Sequence, residues 1–448
     1  MNRFKSFFSR ITEIISPGQA AAAFIAAVIS VSLMFSIVTG KTGLFLADAV
    51  SLPVCIISVA AVLFILLGLC SSLKSRIIIP AFLFAALLLY FLFIIYKDGA
   101  DVWYASAMCI AAAGSAYFLA KNLPDEGLPI KSYRLPLIFA VILFVLMTAM
   151  LSWVCIMRYR SYNAPTYDFG IFAQLFSRMA KTGLPVTTLE RSAEMSHFSI
   201  HFSPFFYLLL PFYMIRPGAE TLLIIQAAGI FAGVFPVLLI CRHLGIRPPL
   251  TMMWEVIYVL YPTLTAAGMT DFHENKFLPV LLLFLLYFVI KQKHIPVFIF
   301  TLLALSVKED CAIYICAVAL WMFFTTRDRK TAVIMFLAAV IWFAAASAFI
   351  SATGPGIMTS RYNNFYSDEH HSGLFDVFRN IFINPGYFLS QLLTADKAAY
   401  LIFMLLPLLF MPVRQRKPGN YLLFLPLLLE NLMPAWKYQA DIDHQYSY

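Results

Sequence analysis

Two short segments of this chain carry residue types that could perform chemistry. "TYDFGIFAQ" contains Asp168, a lone carboxylate among apolar and aromatic neighbours. "HFSIHFSP" places His197 and His201 four residues apart. A carboxylate can act as a general base or bind a metal ion, and two histidines at this spacing can share one face of a helix. These segments indicate an acid-base or ligand-binding site.

Two further polar segments, "TDFHENK" and "KED", interrupt long apolar runs. Their ionisable residues are Asp271, His273, Glu274 and Lys276 in the first and Lys308, Glu309 and Asp310 in the second. Three adjacent charges at the centre of a bilayer would cost roughly 7–10 kcal/mol, so "KED" favours a functional role. Lys276, Lys308 and Arg361 are cations that could stabilise an anionic leaving group. For "TDFHENK", an ordinary polar cap at a helix end is the alternative.

The first two segments also have structural interpretations. Thr166 or Asp168 could cap an amphipathic helix that runs to Lys181 and ends at Gly183. The face of that helix predicted to contact lipid comprises Phe169, Phe172, Leu175 and Phe176. The histidine pair has no third ligand at a fixed spacing, so hydrogen bonds to a phosphate or sugar are favoured over a metal site. No P-loop, GxSxG, HExxH or dinucleotide fingerprint occurs, which argues against soluble nucleotide substrates.

The elements that must position these residues are membrane helices. Hydrophobic residues make up 61% of the 448 residues and charged residues 12%, unlike an ordinary soluble domain. Several apolar runs approach the ~20 residues that cross a ~30 Å hydrocarbon core as a helix. They are 20–38, 49–69, 78–96, 102–120, 136–157, 221–241 and 331–352. We therefore expect an all-α integral membrane protein, a polytopic helical bundle with about twelve transmembrane helices.

The basic residues predict how these helices are oriented. With the N-terminus in the cytoplasm, seven short segments on the cytoplasmic side hold 18 of the 32 Lys and Arg residues and four acids. These segments are 1–17, 71–77, 121–135, 242–249, 291–295, 325–330 and 413–419. This bias follows the positive-inside rule, so the net charge of +9 reflects topology and not a nucleic-acid partner. All candidate residues above, and His444, then face away from the cytoplasm.

Two apolar segments need separate treatment. At ~1.5 Å per residue, 203–215 reaches only ~20 Å, so we expect it to lie along the outer surface or dip into the membrane. The stretch 296–324 should split into two short helices with "KED" at the outer turn, inside a water-accessible cavity.

The chain divides near residue 130. Residues 1–130 are predicted to form a four-helix membrane segment, and 131–448 a second membrane domain. The second domain has outer loops at 158–220 and 353–396. The seven cysteines lie in or beside apolar segments and give no disulfide framework or zinc spacing.

Five segments together resemble a known family. "YDFGIFAQLF", "HFSPFFYLLLPFY", "TDFHENKFLPVLLLFLL", "KEDCAIYI" and "DHQYSY" look like successive motifs of the bacterial and archaeal membrane proteins called domain of unknown function 2079. The resemblance covers roughly residues 136–448. That family is in turn similar to the GT-C glycosyltransferases, which use polyprenyl-phosphate-linked sugars. The resemblance implies a GT-C-like fold with surface-lying helices in the first outer loop, and a chain that continues beyond "HQYSY".

The GT-C pattern places an acidic residue where this chain has Asp168. In that pattern the residue acts as the catalytic base or as a metal ligand. Such enzymes usually carry a paired acid, whereas Phe169 and Gly170 follow Asp168 here. The resemblance therefore leaves open whether a divalent metal, Mg²⁺ or Mn²⁺, takes part.

The expected function is sugar transfer from a polyprenyl-phosphate donor to an acceptor at the extracytoplasmic face of a prokaryotic cell membrane, among its lipids. Asp168 would be the base, while Lys308 or Arg361 would offset the leaving phosphate. The predicted substrate-binding residues are His197, His201, Asp271, His273, Glu274, Lys276, Lys308, Glu309, Arg361 and His444. Two alternatives stay open: a transporter or lipid-linked-sugar flippase that uses the intramembrane charges, and a non-catalytic membrane partner.

Overall fold

A computed structural model describes most of the chain. The described residues are 15–39, 52–73, 78–98, 132–164, 167–365, 374–408, 410–442, 444 and 446. The chain forms two compact units, Met1–Pro129 and Ile130–Tyr448. The predicted span 102–120 lies outside the described residues.

The first unit contains three described helices. They are α1 (Pro17–Thr39), α2 (Leu52–Leu73) and α3 (Ile78–Asp98). Small side chains on α1, including Ala23 and Ala26, pack in one core with Leu66 of α2 and Leu83 of α3. Small residues let helix backbones approach closely, as is common between membrane helices.

The second unit is almost entirely helical. Its helices are α4 (Arg134–Arg160), α5 (Asp168–Thr182), α6 (Phe206–Ile215), α7 (Ala219–Phe231), α8 (Val234–His243), α9 (Pro248–Val259), α10 (Pro262–Ala266), α11 (Leu278–Ile290), α12 (His294–Leu305), α13 (Cys311–Thr325), α14 (Arg329–Thr353), α15 (Leu374–Ile383), α16 (Pro385–Leu392) and α17 (Ala395–Leu405). A hairpin of β1 (Val186–Thr187) and β2 (Met195–Ser196) pairs antiparallel, with Val186 opposite Ser196. Short 3₁₀ and π segments link the helices and form most of the chain after α17.

The described helices can be compared with the predicted spans by length and composition. Within the described residues, five helices are long and apolar enough to cross a membrane, or six if one pair bent by 61° counts as a single span. The five are Gly18–Ile37, Pro53–Cys70, Arg134–Arg160, Ala219–His243 and Arg329–Thr353, and the bent pair is Pro385–Leu392 with Ala395–Leu408. About twelve spans and a GT-C-like arrangement are thus not confirmed.

Three apolar helices of the second unit are shorter than a full span. The segments α6, α12 and α13 are 10, 12 and 15 residues long. At ~1.5 Å per residue, the longest of them extends only ~23 Å. Proline-containing stretches and polar turns end these helices before they reach the length of a full span.

The predicted break at "KED" is confirmed. Helix α12 ends at Leu305, and α13 begins at Cys311 with Asp310 at its N-terminal boundary. The turn between them contacts the segment before α6, where the backbone N–H of Phe205 donates to the carbonyl of Ser306 at 2.9 Å. Two motifs that are about a hundred residues apart are thereby joined by main-chain atoms.

Helix α5 shows which way its aromatic face points. The predicted helix and its end at Gly183, where φ is +74°, are confirmed. The prediction that its aromatic face contacts lipid is wrong. Phe169, Phe172, Leu175 and Phe176 are all buried in the protein core.

Aromatic packing explains why that face is buried. The ring of Phe176 lies 5.4 Å from that of Phe206 and 5.6 Å from that of Phe272. Phe172 contacts the same two rings at 5.7 and 5.4 Å. Edge-to-face pairs at such distances stabilise a core. These rings hold the Asp168 helix against the "HFSP" and "TDFHENK" segments.

Candidate functional site

The first histidine of "HFSIHFSP" is buried beside Glu190, an acid outside the candidate segments. Nδ1 of His197 lies 2.9 Å from Oε2 of Glu190 in the loop after β1, and only 2% of His197 is exposed. Its Nε2 is buried with no hydrogen-bond partner in the described part of the chain. Burial opposes protonation of His197, but the hydrogen bond and charge of Glu190 outweigh it and raise the pKa.

The second histidine makes a similar pair with the "KED" turn. Nδ1 of His201 lies 2.8 Å from Oε1 of Glu309, and Oε2 of Glu309 accepts the backbone N–H of Phe202 at 2.9 Å. Both carboxylate oxygens are thus directed at the histidine segment. Burial, followed by the charge of Lys308, lowers the pKa of His201 well below its usual value. His201 is therefore neutral near pH 7 and donates its Nδ1–H to the carboxylate.

Lys308 is a buried cation surrounded by acids. Only 1% of it is exposed, and its Nζ lies 3.4 Å from Oδ2 of Asp310. Burial opposes its charge, but Asp310, Glu274 and Glu309 outweigh burial and raise the pKa of Lys308. The ammonium is therefore a permanent positive charge in the protein interior.

The C-terminal segment supplies further groups to the same region. Arg361 donates to Oε1 of Gln439 at 3.1 Å and to the hydroxyl of Tyr446 at 3.0 Å, and it lies over the Tyr446 ring at 4.8 Å. Lys308 lies 5.9 Å from the same ring, and His273 packs against it at 6.4 Å. Tyr446 thus contacts residues from three separate polar segments. Its position in "DHQYSY" is the only sequence signal for it.

His444 points to a different neighbour. Its Nδ1 lies 3.1 Å from Oδ2 of Asp441, and the centroid of its ring lies 4.4 Å from that of Tyr438. His444 is not among the residues that line the polar cavity of His201, Lys308 and Arg361.

A cavity of about 140 Å³ lies between the side chains of His201, Lys308 and Arg361. Its polar wall includes His201, Lys308, Glu309, Asp310, Arg361 and Glu430. Ile313, Phe343 and Tyr362 line this polar cavity and also line a neighbouring apolar cavity of about 350 Å³. The apolar cavity extends between α13, α14, α15 and the segment 425–433. A polar chamber with two cations therefore shares a wall with an apolar one.

The "TDFHENK" residues occupy other positions. Nζ of Lys276 donates to the carbonyls of Thr270 and Asp271 at 3.0 and 2.6 Å and to the Thr270 hydroxyl at 2.9 Å. Burial lowers the pKa of Lys276 to about 7. All three of its donors are used within its own turn, so its contacts stabilise that turn, and Lys276 does not line the polar cavity.

His273 and Glu274 lie deeper. Glu274 is fully buried, and neither carboxylate oxygen has a hydrogen-bond partner among the described residues. Its Oε2 is 3.3 Å from Nδ1 of His273, whose backbone N–H donates to Oε1 of Gln226 at 3.0 Å. Burial raises the pKa of Glu274 to about 7, and burial with Lys308 lowers that of His273 well below its usual value. Gln226 gave no sequence signal, since it lies inside an apolar run.

Asp168 begins α5 close to this cluster. Burial raises its pKa, as do the charges of Asp271 and Glu190, while His197 and Lys308 act in the opposite direction. It is partly buried and is not among the residues that line the polar cavity. Its assignment as the base stays a prediction.

The described residues offer no ready-made ligand set for a divalent metal. In the part of the chain that the structure describes, no three His, Cys, Asp or Glu side chains are arranged to hold a metal ion. His197 and His201 instead each direct Nδ1 at a glutamate.

Comparison with known proteins gives one match. A family described as predicted membrane protein (DUF2079) matches residues 158–448, which is more than half of the chain. No curated protein and no solved structure matches the chain. The match covers every polar segment discussed above.

Proposed function

Since the chain belongs to the DUF2079 family of predicted membrane proteins, we propose that it is a membrane glycosyltransferase that takes a sugar from a polyprenyl-phosphate donor. The acceptor is positioned at the extracytoplasmic face. The donor is an amphiphile with an anionic head and a long apolar chain, so the protein must present a cationic pocket beside an apolar surface.

The shared wall between the two cavities carries this proposal. Lys308 and Arg361 line the polar cavity, while the neighbouring cavity has an almost wholly apolar lining. A phosphate bound between the two cations gains charge-assisted hydrogen bonds, and its chain follows the apolar wall along α13 and α14. As the sugar leaves the phosphate, the growing negative charge is stabilised by cations that are already in place.

The experiment is transfer of radiolabelled sugar from polyprenyl-phosphate donors by the full chain in nanodiscs. We expect transfer by the wild type and a fall of about 100-fold or more in Lys308→Met, as is typical when a charge-stabilising donor is removed. Lys291→Met is the matched control, because Lys291 is exposed and bonds only the Tyr287 hydroxyl, at 3.0 Å, away from the cavity. Wild-type rates in Lys308→Met, or no transfer from any such donor, would refute the proposal.

The same assay tests the predicted base. If Asp168 takes the proton from the acceptor, Asp168→Asn should lower the rate without weakening donor binding. Full activity in this variant removes Asp168 from the catalytic step.

A transporter or lipid-linked-sugar flippase is the second candidate. The observation that favours it is the buried set of Glu190, His197, His273 and Glu274, which could bind and release protons without bond chemistry. Proton-coupled uptake or lipid translocation in liposomes, abolished in Glu274→Gln and without sugar transfer, would support it. A protein that neither transfers nor transports would fit a non-catalytic membrane partner.

A further inference from the structure

Each histidine of "HFSIHFSP" is paired with a glutamate, but the two pairs differ in their access to the polar cavity. His197 with Glu190 and His201 with Glu309 have nearly equal Nδ1–oxygen distances, 2.9 and 2.8 Å, and the two imidazole rings are 6.0 Å apart. Only the second pair lines the polar cavity that contains Lys308 and Arg361. A base must reach the proton that it removes, so access to the cavity separates the two pairs.

We infer that His201 is the general base of the transfer and that Glu309 is the residue that positions it. This inference rests on the proposed function. Glu309 accepts the Nδ1–H of His201 and is itself held by the Phe202 N–H at 2.9 Å. With Nδ1 engaged in this way, the proton-accepting atom of the neutral ring is Nε2.

The proposed transfer is a single displacement of the lipid phosphate at the anomeric carbon of the sugar. The acceptor hydroxyl oxygen forms a bond to the anomeric carbon, and the bond from that carbon to the phosphate oxygen breaks. The electron pair leaves with the phosphate, whose charge Lys308 and Arg361 stabilise, and the hydroxyl proton moves to Nε2 of His201. The product is the glycosylated acceptor, the lipid phosphate and an imidazolium stabilised by Glu309.

The charges around His201 suit this role. Burial, Lys308, the neighbouring His197 and Arg361 favour the neutral ring, while Asp310 acts in the opposite direction. The other ionisable groups that face it are Glu309, Glu430 and His273. Before reaction the ring is neutral and can accept a proton. When the phosphate neutralises part of the cationic charge, protonation becomes easier.

Asp168 is the rival for this role. It begins α5, and its carboxylate interacts electrostatically with His197 and Lys308. It does not line the polar cavity. The cavity places both leaving-group cations and one imidazole within a single volume of about 140 Å³. The base and the phosphate site must lie within one substrate's reach of each other, and His201 meets that requirement.

The test measures kcat against pH at saturating polyprenyl-phosphate sugar, with the full chain in nanodiscs. We expect His201→Gln to lower kcat about 100-fold or more while donor affinity stays constant. Glu309→Gln should move the acidic limb of the profile to lower pH, because removal of the carboxylate makes imidazolium less stable. A residue with only a structural role would change the rate without moving the limb.

A second variant distinguishes loss of the base from loss of the fold. In His201→Ala, added neutral imidazole should bind in the space left by the missing side chain and restore part of the activity. The matched control is His294→Gln, because Nδ1 of His294 also lies 3.1 Å from a carboxylate, Asp328, but 59% of its side chain is exposed and it lies outside the polar cavity. It should keep the wild-type rate and pH profile.

The outcomes separate the two proposals. No transfer by the wild type overturns the proposed function and, with it, the catalytic role of His201. Wild-type transfer with full activity in His201→Gln, an unmoved acidic limb in Glu309→Gln, or a rate loss in His201→Ala that imidazole does not reverse overturns only the assignment of the base. A larger loss in Asp168→Asn, with the acidic limb moved there instead, transfers the role to Asp168.

Discussion

Replacement of Glu274 by glutamine should stabilise the protein at neutral and alkaline pH. Glu274 is fully buried, and its two carboxylate oxygens have no hydrogen-bond partner among the described residues. Burial raises its pKa from 4.5 to about 7, against the opposing charge of Lys308. Such a site favours the uncharged form, and glutamine keeps that shape without ionising.

The size of the effect follows from the pKa. A rise from 4.5 to about 7 corresponds to roughly 3 kcal/mol, at ~1.4 kcal/mol for each unit of pKa. Because the folded-state pKa is raised, the wild type has its full stability below pH ~4.3 and loses it as pH rises to about 7. Glu274→Gln has no such loss, so its advantage grows over this window and is constant above it.

The assay is thermal unfolding in detergent or nanodiscs at pH 5, 6, 7 and 8. We expect the Tm difference between Glu274→Gln and the wild type to widen by several degrees between pH 5 and 8. Glu194→Gln is the control, because the Glu194 side chain is 65% exposed and pairs with Arg178 at the surface. Parallel Tm curves for Glu274→Gln and the wild type would refute the reasoning about burial.

Two further predictions concern residues that shape the site without lining the cavity. Lys276→Met should lower the free energy of unfolding by roughly 2–4 kcal/mol, because three hydrogen bonds to the Thr270–Asp271 turn are lost. Binding of decyl phosphate, measured by calorimetry, should persist, and its loss would instead place Lys276 in the ligand site. Gly354→Ala should lower both Tm and sugar transfer, because its Cβ would lie 1.9 Å from the carbonyl oxygen of Ser199, inside the histidine segment. Gly386→Ala, where nothing lies within 4 Å of the added Cβ, should change neither, and equal behaviour of the two variants would contradict this.

Local sequence patterns predicted the features that depend on neighbouring residues. The three charges of "KED" predicted the break between α12 and α13, because no apolar helix tolerates them at its centre. Gly183 predicted the end of α5, since its φ of +74° suits glycine. Each conclusion needed only a few adjacent residues.

Features that depend on distant contacts were missed. Glu190 contacts His197, and Tyr446 contacts Arg361. No repeat or spacing in the sequence indicates that either residue lies near the candidate segments. The burial of the aromatic face of α5 was also missed, because an apolar stripe looks the same whether lipid or protein covers it. The expectation of about twelve spans is not confirmed, since five or six helices among the described residues are long and apolar enough to cross a membrane. Hydropathy measures apolar composition, but Pro, Gly and polar turns decide how long each helix continues.

The histidine segment shows how short helices can hold a site in place. Its backbone is fixed at three points, where Phe205 donates to Ser306, Phe202 donates to Glu309, and Ser199 lies against Gly354 of the α14 terminus. Two of these contacts reach the "KED" turn, which exists because α12 ends early. A full-length span there would have no free carbonyl or carboxylate to offer. The break between α12 and α13 thus creates the groups that orient His201, and a site held by main-chain contacts needs little rearrangement when substrate binds.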